Sequence, residues 1–233
     1  MSRSVRERLR SVADSASVPI LQRFFKTGPG EYAEGDVFLG VRVPALRAVC
    51  RDCGDLTERD ILELLRSRVH EERLLALLLL VRTFEQADDK GRRRVYDLYL
   101  ANTDVINNWD LVDASAPAIV GGYLEKRSRA PLRRLARSHS LWERRIAMVA
   151  TLQFIRRGEF DDTLAIAEIL LKDEHDLIHK AAGWMLREVG KRDGAVLRRF
   201  LKPRQKKMPR TMLRYAIERF PETERRRYLL GSA

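Results

Sequence analysis

Apolar residues recur at steps of three and four along almost the whole chain, and Val, Ile and Thr never gather into the alternating runs that strands require. The spacing predicts helices over residues 2–16, 18–25, 43–52, 57–68, 71–85, 89–101, 110–126, 130–138, 141–157, 161–172, 176–191, 194–202, 211–220 and 221–230. Local signals punctuate them. Thr57-x-x-Asp60 can cap its own helix, and Pro44 and Pro131 sit in first turns, where a missing N–H costs nothing. The glycine-bearing stretch 28–36 contains Gly-x-Gly, but no strand precedes it and no Lys-Ser/Thr follows. It therefore reads as a helix–helix connector and not as a phosphate loop, with no role assigned to it.

Several of the second helices share a phrase. Asp113-Ala114-Ser115, Arg145-Ile146-Ala147, Lys180-Ala181-Ala182 and Arg214-Tyr215-Ala216 each place a charged residue two before a small one, at spacings of 32, 35 and 34 residues. Small residues let helices stack closely, and a near-constant period of this size marks an α-solenoid. The expected fold is all-α: one HEAT-like domain over residues 1–233, built of antiparallel helix pairs with a basic concave surface. Equivalent positions in such a stack line up, so Asp113, Arg145, Lys180 and Arg214 are expected to form a column along which a phosphate backbone can lie. Lys180, Trp184 and Arg187, at i, i+4 and i+7, add a tryptophan between two cations, a pattern suited to nucleic acid.

Charge sharpens this picture. The chain carries 45 Lys and Arg against 33 Asp and Glu, a net +12, while 45% of its residues are hydrophobic, enough for a core. The balance points to nucleic acid or an acidic membrane surface as the partner. The longest apolar run, 74–81, is far shorter than the roughly 20 residues a membrane span needs, and the N-terminus is charged with no apolar segment after it. A cytoplasmic location is expected. Cys50 and Cys53 lack a second ligand pair for zinc and lie in a helical, not a βαβ, context, so they read as reduced thiols. His175 and His179 stand at i, i+4, yet no third ligand lies nearby and no metal site is expected. No Gly-x-Ser-x-Gly elbow occurs.

The chemistry-bearing stretch is Asn107-Asn108-Trp109-Asp110-Leu111-Val112-Asp113, which puts an indole and a carboxylate one turn apart in a basic protein. With Arg145 and Trp184 it forms a set suited to a positively charged intermediate. Hydrolysis of an N-glycosidic bond passes through an oxocarbenium-like sugar. A fixed carboxylate and indole faces stabilise that charge, and the carboxylate can orient the attacking water. Arg145 would hold the flanking phosphate and keep Asp113 ionised. The set has no general acid, which suits a base already activated by its own positive charge, such as an N3- or N7-alkylated purine.

Over nearly its whole length the chain resembles the bacterial AlkD family of DNA alkylation-repair glycosylases, which are HEAT-like solenoids. The resemblance is carried by Phe25-Lys26-Thr27-Gly28 with Gly35-Asp36, by Phe38-Leu39-Gly40-Val41-Arg42-Val43-Pro44, and by Asn108-Trp109-Asp110-Leu111-Val112-Asp113. Leu141-Trp142-Glu143-Arg144-Arg145-Ile146-Ala147, Lys180-Ala181-Ala182-Gly183-Trp184-Met185-Leu186-Arg187-Glu188 and Met208-Pro209-Arg210-Thr211 continue it. It implies a cofactor-free, monofunctional DNA glycosylase with catalytic Trp109, Asp113, Arg145 and Trp184, and DNA contacts from Lys180, Arg187 and Arg214. The implied substrate is duplex DNA bearing 3-methyladenine or 7-methylguanine, excised without flipping the base into a pocket. The expected protein is a monomer that needs no membrane. The competing expectation is a non-catalytic HEAT-repeat protein that binds DNA structure, or a scaffold for other proteins. Asp113 separates the first from the enzyme, because a carboxylate repels the phosphate backbone.

Overall fold

The computed structural model of the protein describes residues 2–54 and 56–232. Within them every regular element is helical, and the only β-pairing is an isolated parallel bridge between Val37 and Val69. The protein is all-α, an architecture consistent with an α-solenoid, and it divides into two compact units, residues 1–115 and 116–233.

The first unit contains α1 (Ser2–Ser11), a 3-10 turn (Ser15–Ser17), α2 (Val18–Phe25), α3 (Val43–Asp52), α4 (Glu58–Leu65), α5 (His70–Gln86) and α6 (Asp89–Leu100). It ends in α7 (Trp109–Ala116), whose last residue opens the second unit. The expected helix over 2–16 stops at Ser11 because Asp14 diverts the backbone. Its carboxylate accepts the Ala16 N–H and the Ser17 hydroxyl and starts the 3-10 turn. Thr57 and Asp60 form the capping box expected of them, each side chain satisfying the other's backbone N–H.

Helix α5 is the axis of this unit and packs against α3, α4 and α6. Its apolar run leaves no polar stripe, and every residue from His70 through Leu80 is buried. A helix covered on all sides must bury its first turn as well. Here that turn is His70-Glu71-Glu72-Arg73. Each of the four has a partner. The Glu71 carboxylate accepts the backbone N–H groups of Leu39, Gly40 and Val41 at 2.9–3.1 Å, and Glu72 accepts from Arg6 at 3.0 Å. Gly40 lies at φ +86°, where a Cβ would stand 1.9 Å from the Asp14 carbonyl oxygen, so the turn that Glu71 holds requires glycine.

The second unit continues with a π-helical turn, Pro117–Gly121, then α8 (Gly122–Leu124), α9 (Ala130–Leu135), α10 (Leu141–Ala150), α11 (Leu152–Ile155), α12 (Asp161–Ile169), a 3-10 turn (Leu170–Lys172), α13 (Asp176–Arg192), α14 (Gly194–Leu201), α15 (Arg210–Ala216) and α16 (Glu222–Leu230). The single helix expected over 110–126 is thus interrupted. Pro117 has no N–H for the carbonyl four residues back, and the chain widens to i→i+5 spacing there. Helix α13 is the axis of the second unit, with α10, α12, α14 and α15 against it. Helices α14 and α15, expected to pair with each other, pack mainly on α13. Gly183 permits this, since a Cβ there would lie 2.4 Å from the Tyr215 Cβ and 2.6 Å from the Met212 carbonyl oxygen. The small residues of the repeated phrase lie in the core: Ser115, Ala147 and Ala182 are fully buried and Ala216 is 1% exposed.

Candidate active site

Helix α7 begins at Trp109, behind Asn108, whose carbonyl accepts the Val112 N–H and whose side-chain oxygen accepts the Trp109 N–H. Trp109 is half-buried. Its inner face stacks on Phe25 of α2 (centroids 5.2 Å apart, planes 20° apart), and Phe24 meets it edge-on at 5.4 Å. Phe25 in turn stacks on Phe38 at 5.2 Å and leans on the His70 ring at 4.8 Å, while His70 stacks on Phe38 at 4.7 Å. The indole is thus the outer member of a packed aromatic column. Phe24, beside it, remains 59% exposed.

A polar layer lies within this column. His70 Nε2 is 2.8 Å from Asp110 Oδ2, in the first turn of α7, and its Nδ1 is 3.4 Å from Asp36 Oδ2. The Asp36 oxygen also accepts from Arg73. Burial alone would push the imidazole down. The charge of Asp110 and the hydrogen bonds to Asp110 and Asp36 outweigh both burial and the Arg73 cation, and hold His70 up at about 9. Burial likewise pushes Asp36 up, but the bonds from His70 and Arg73 prevail and keep it below its ordinary value. Two cations and two carboxylates balance in this layer.

Asp113 follows Trp109 by one turn and is half-buried. Beneath it the fully buried Tyr99 hydroxyl lies 3.0 Å from Ser115 Oγ, which donates to the Leu111 carbonyl at 2.6 Å. Burial raises the Tyr99 pKa well above its ordinary value, and the Asp113 charge raises it further, so the phenol stays neutral.

The 28–36 stretch is not a phosphate cradle. Its free amides are taken by its own acids: Glu31 accepts the Gly28 N–H and Glu34 accepts the Gly30 N–H, both at 2.8 Å. The stretch ends at Asp36, and the next residue is tied to α5, where the Val37 carbonyl accepts the His70 N–H at 2.8 Å and the Val37 N–H reaches the Arg68 carbonyl at 3.0 Å.

In the second unit, Arg145 of α10 is 5% exposed and its Nη1 donates to the Leu177 carbonyl in the first turn of α13 at 2.6 Å. It joins two helices, whereas a phosphate-holding role calls for an open guanidinium. Lys180 and Trp184 are half-buried on α13; Lys180 pairs with Asp176 at 2.6 Å, and Arg187 pairs with Glu218. Arg214 of α15 is exposed. The expected column therefore does not present three equivalent cations in this unit, since Arg145 lies inside it. His175 Nδ1 accepts the Leu177 N–H at the start of α13, and His179 Nε2 bonds to the Asp173 carbonyl. Cys50 and Cys53 are buried free thiols, both pushed up by burial.

Trp109, Asp113, Arg145, Lys180, Trp184, Arg187 and Arg214 were all visible in the sequence. The buried layer of Asp36, His70, Arg73 and Asp110, with the Phe25–Phe38 stack, was not. One signal pointed to it: a His-Glu-Glu-Arg quartet directly before an uninterrupted apolar run, on a helix with no polar face to put it on.

No helix among the described residues is long and apolar enough to cross a membrane. A search of curated proteins finds no match. Among solved structures the chain is similar to a predicted DNA alkylation repair enzyme from Enterococcus faecalis, at 15% identity and a TM-score of 0.68, with 90% of this chain and 97% of that one covered. At that identity the likeness concerns the fold. The family model for DNA alkylation repair enzymes matches residues 5–220, and by that match the chain belongs to the DNA alkylation repair enzyme family.

Proposed function

We propose that the protein is a monofunctional DNA glycosylase that hydrolyses the N-glycosidic bond of cationic alkylated purines, 3-methyladenine and 7-methylguanine, in duplex DNA. The observation that carries this reading is the start of α7, where a carboxylate follows a half-buried, aromatically backed indole by one turn. In this reading Asp113 faces the sugar as the bond to the base lengthens. Its charge stabilises the oxocarbenium-like centre, and it aligns the water that attacks C1′. The faces of Trp109 and Trp184 add cation–π stabilisation. Arg145 is the catalytic arginine of this reading. The departing purine carries its own positive charge and leaves neutral, so no general acid is needed. No lysine is assigned to a Schiff base, and strand cleavage does not accompany base release. Lys180, Arg187 and Arg214 contact phosphates, Lys180 by exchanging its surface partner Asp176 for DNA, an exchange that costs little, and Arg187 by releasing Glu218. The base is not drawn into a pocket, and the protein acts as a cytoplasmic, single-domain monomer of HEAT-like repeats.

Release of free bases from methylated duplex DNA by the unaltered chain and by Asp113→Asn tests this directly. The wild type is expected to liberate 7-methylguanine or 3-methyladenine, with the variant slowed by roughly a hundredfold or more while it binds DNA as well or better. Equal rates would remove Asp113 from the chemistry. No release by either protein, with steeply salt-dependent binding by both, would make this a DNA-structure-binding protein.

A further inference from the structure

The first turn of α7 carries both Trp109 and the start of the helix that presents Asp113, and one side chain from outside the helix grips it. That side chain is His70 of α5, bonded to Asp110 at 2.8 Å. His70 is 2% exposed, and the proposed chemistry assigns it no role. Its other ring nitrogen faces Asp36, 3.4 Å away, at the end of the 28–36 stretch. A neutral imidazole has one N–H and can donate to only one carboxylate, whereas the imidazolium donates to both. The two acids facing it, Asp36 from the loop and Asp110 from α7, are offset by Arg73 on its own helix, and Phe25 and Phe38 cover its ring. Glu71, next to it in sequence, is occupied with the amides of residues 39–41.

We propose that His70 is the positioning residue of this site: as an imidazolium bridging Asp36 and Asp110, it locks the first turn of α7 and so fixes the angle of the Trp109 indole and the direction of the Asp113 carboxylate. The inference rests on reading Trp109 and Asp113 as catalytic, and it gives the 28–36 stretch a function, that of delivering Asp36. Two kinds of contact act on Trp109. Stacking on Phe25 sets the distance of the ring but lets it slide, whereas the Asp110–His70 bond is directional and sits one residue away. Loss of the His70 proton leaves Asp36 and Asp110 with one N–H between them, and one of the two ties opens.

The experiment has a spectroscopic arm and a kinetic arm. In a Trp142→Phe/Trp184→Phe chain the remaining indole is Trp109, and its emission is followed from about pH 6 to 10 while far-UV circular dichroism monitors the fold. The expected result is a one-proton transition with a midpoint near 9, matched by the imidazole nitrogen shifts of one histidine, moved at least about one unit acid-ward in Asp36→Asn and absent in His70→Gln. Flat emission across that range in the folded protein overturns the proposal, and that result needs no variant at His70 or Asp36. A transition that persists unchanged in His70→Gln also overturns it.

The kinetic arm uses single-turnover base release from methylated duplex DNA with both native tryptophans in place. His70→Gln is expected to release base at least about tenfold more slowly with DNA affinity within about threefold of wild type, and the wild-type rate should share the alkaline limb seen in emission. Wild-type release rates in a folded His70→Gln would overturn the positioning role. If the emission transition is present and the wild type releases no base, the glycosylase reading fails while the hold of His70 on Trp109 stands.

Discussion

The charge balance around His70 predicts how the first unit responds to alkali. The imidazole is held at about 9 in the folded chain, against about 6.5 in an unfolded one. Because the folded value lies above the unfolded one, the stabilisation is fully present below about pH 6.5 and is lost as pH rises through about 9. A difference of some 2.5 units corresponds to about 3 kcal/mol, and about 2 kcal/mol of it disappears between roughly pH 6.5 and 8.5. That window isolates the histidine. Asp36, with a lowered pKa, acts only at acid pH, and His175, also lowered, acts below its ordinary value. Cys50 and Cys53, with raised thiols, begin to destabilise the fold as unfolded thiols ionise around pH 8.5, so their effect enters only at the top of the window. Urea unfolding followed by Trp109 emission in the Trp142→Phe/Trp184→Phe chain reads the first unit alone, which matters because a chain of two compact units need not unfold in one step. The unfolding free energy should fall by about 1 kcal/mol per pH unit over the window, with an unchanged m-value. His70→Gln should be less stable at about pH 6.5 and show no such slope. A wild type whose stability is constant to within about 0.5 kcal/mol, or a variant that keeps the slope, would refute the assignment of a charged bridge.

Other perturbations separate packing from chemistry. Glu71→Gln removes the charge from a buried acceptor of three backbone N–H groups and turns an amide donor toward them; a loss of about 2–4 kcal/mol is expected in urea unfolding, and a change under 0.5 kcal/mol would contradict the geometry. Gly183→Ala forces a Cβ against Tyr215 and Met212 and should cost about 1–3 kcal/mol in thermal unfolding of the second unit. Arg214→Ala should shallow the salt dependence of DNA binding by about one contact without loss of stability. Arg145→Ala should do the opposite, lowering stability with the slope intact, because its guanidinium is buried and donates to the Leu177 carbonyl; the reverse pattern would return Arg145 to the phosphate backbone.

What the sequence made legible is what lies within one helical turn or repeats at a fixed interval. Trp109 and Asp113 are four apart, so their joint placement follows from helix geometry alone. The small residues Ser115, Ala147, Ala182 and Ala216 recur at a repeat period, and burial at those positions is what the period encodes. Arg145 shows the limit of this reasoning. A cation two before a buried alanine reads the same whether its guanidinium meets solvent or the carbonyl of a neighbouring helix, and only the packing of α10 on α13 decides it. The His70 bridge was harder still. Its partners are 34 residues before it and 40 after it, on a loop and on another helix, and no local pattern joins them. Pro117 lies inside the expected 110–126 helix, and its missing N–H fits a kink, a stop or the π-helical turn that forms.

A buried network of two carboxylates and two cations is a costly way to hold a helix, since well-packed apolar side chains of similar volume stabilise as much or more. Its use beneath Trp109 is explained by what apolar packing cannot do. Aromatic stacking contributes roughly 0.5–1.5 kcal/mol per pair and is tolerant of offset, so the Phe25–Trp109 contact alone leaves the indole free to slide. In the proposed chemistry, stabilising a charge that exists only in the transition state requires the carboxylate and the ring face to be aimed within about 0.5 Å beforehand. Hydrogen bonds between charged groups in a water-poor interior supply that direction, and a wrong angle leaves a buried charge unpaired. The arrangement at α7 divides the work accordingly. Phe25 and Phe38 set the position of the wall, and Asp36, His70 and Asp110 set its angle. The first turn of α5 is therefore buried for two reasons at once, the apolar run behind it and the helix end it must hold in front.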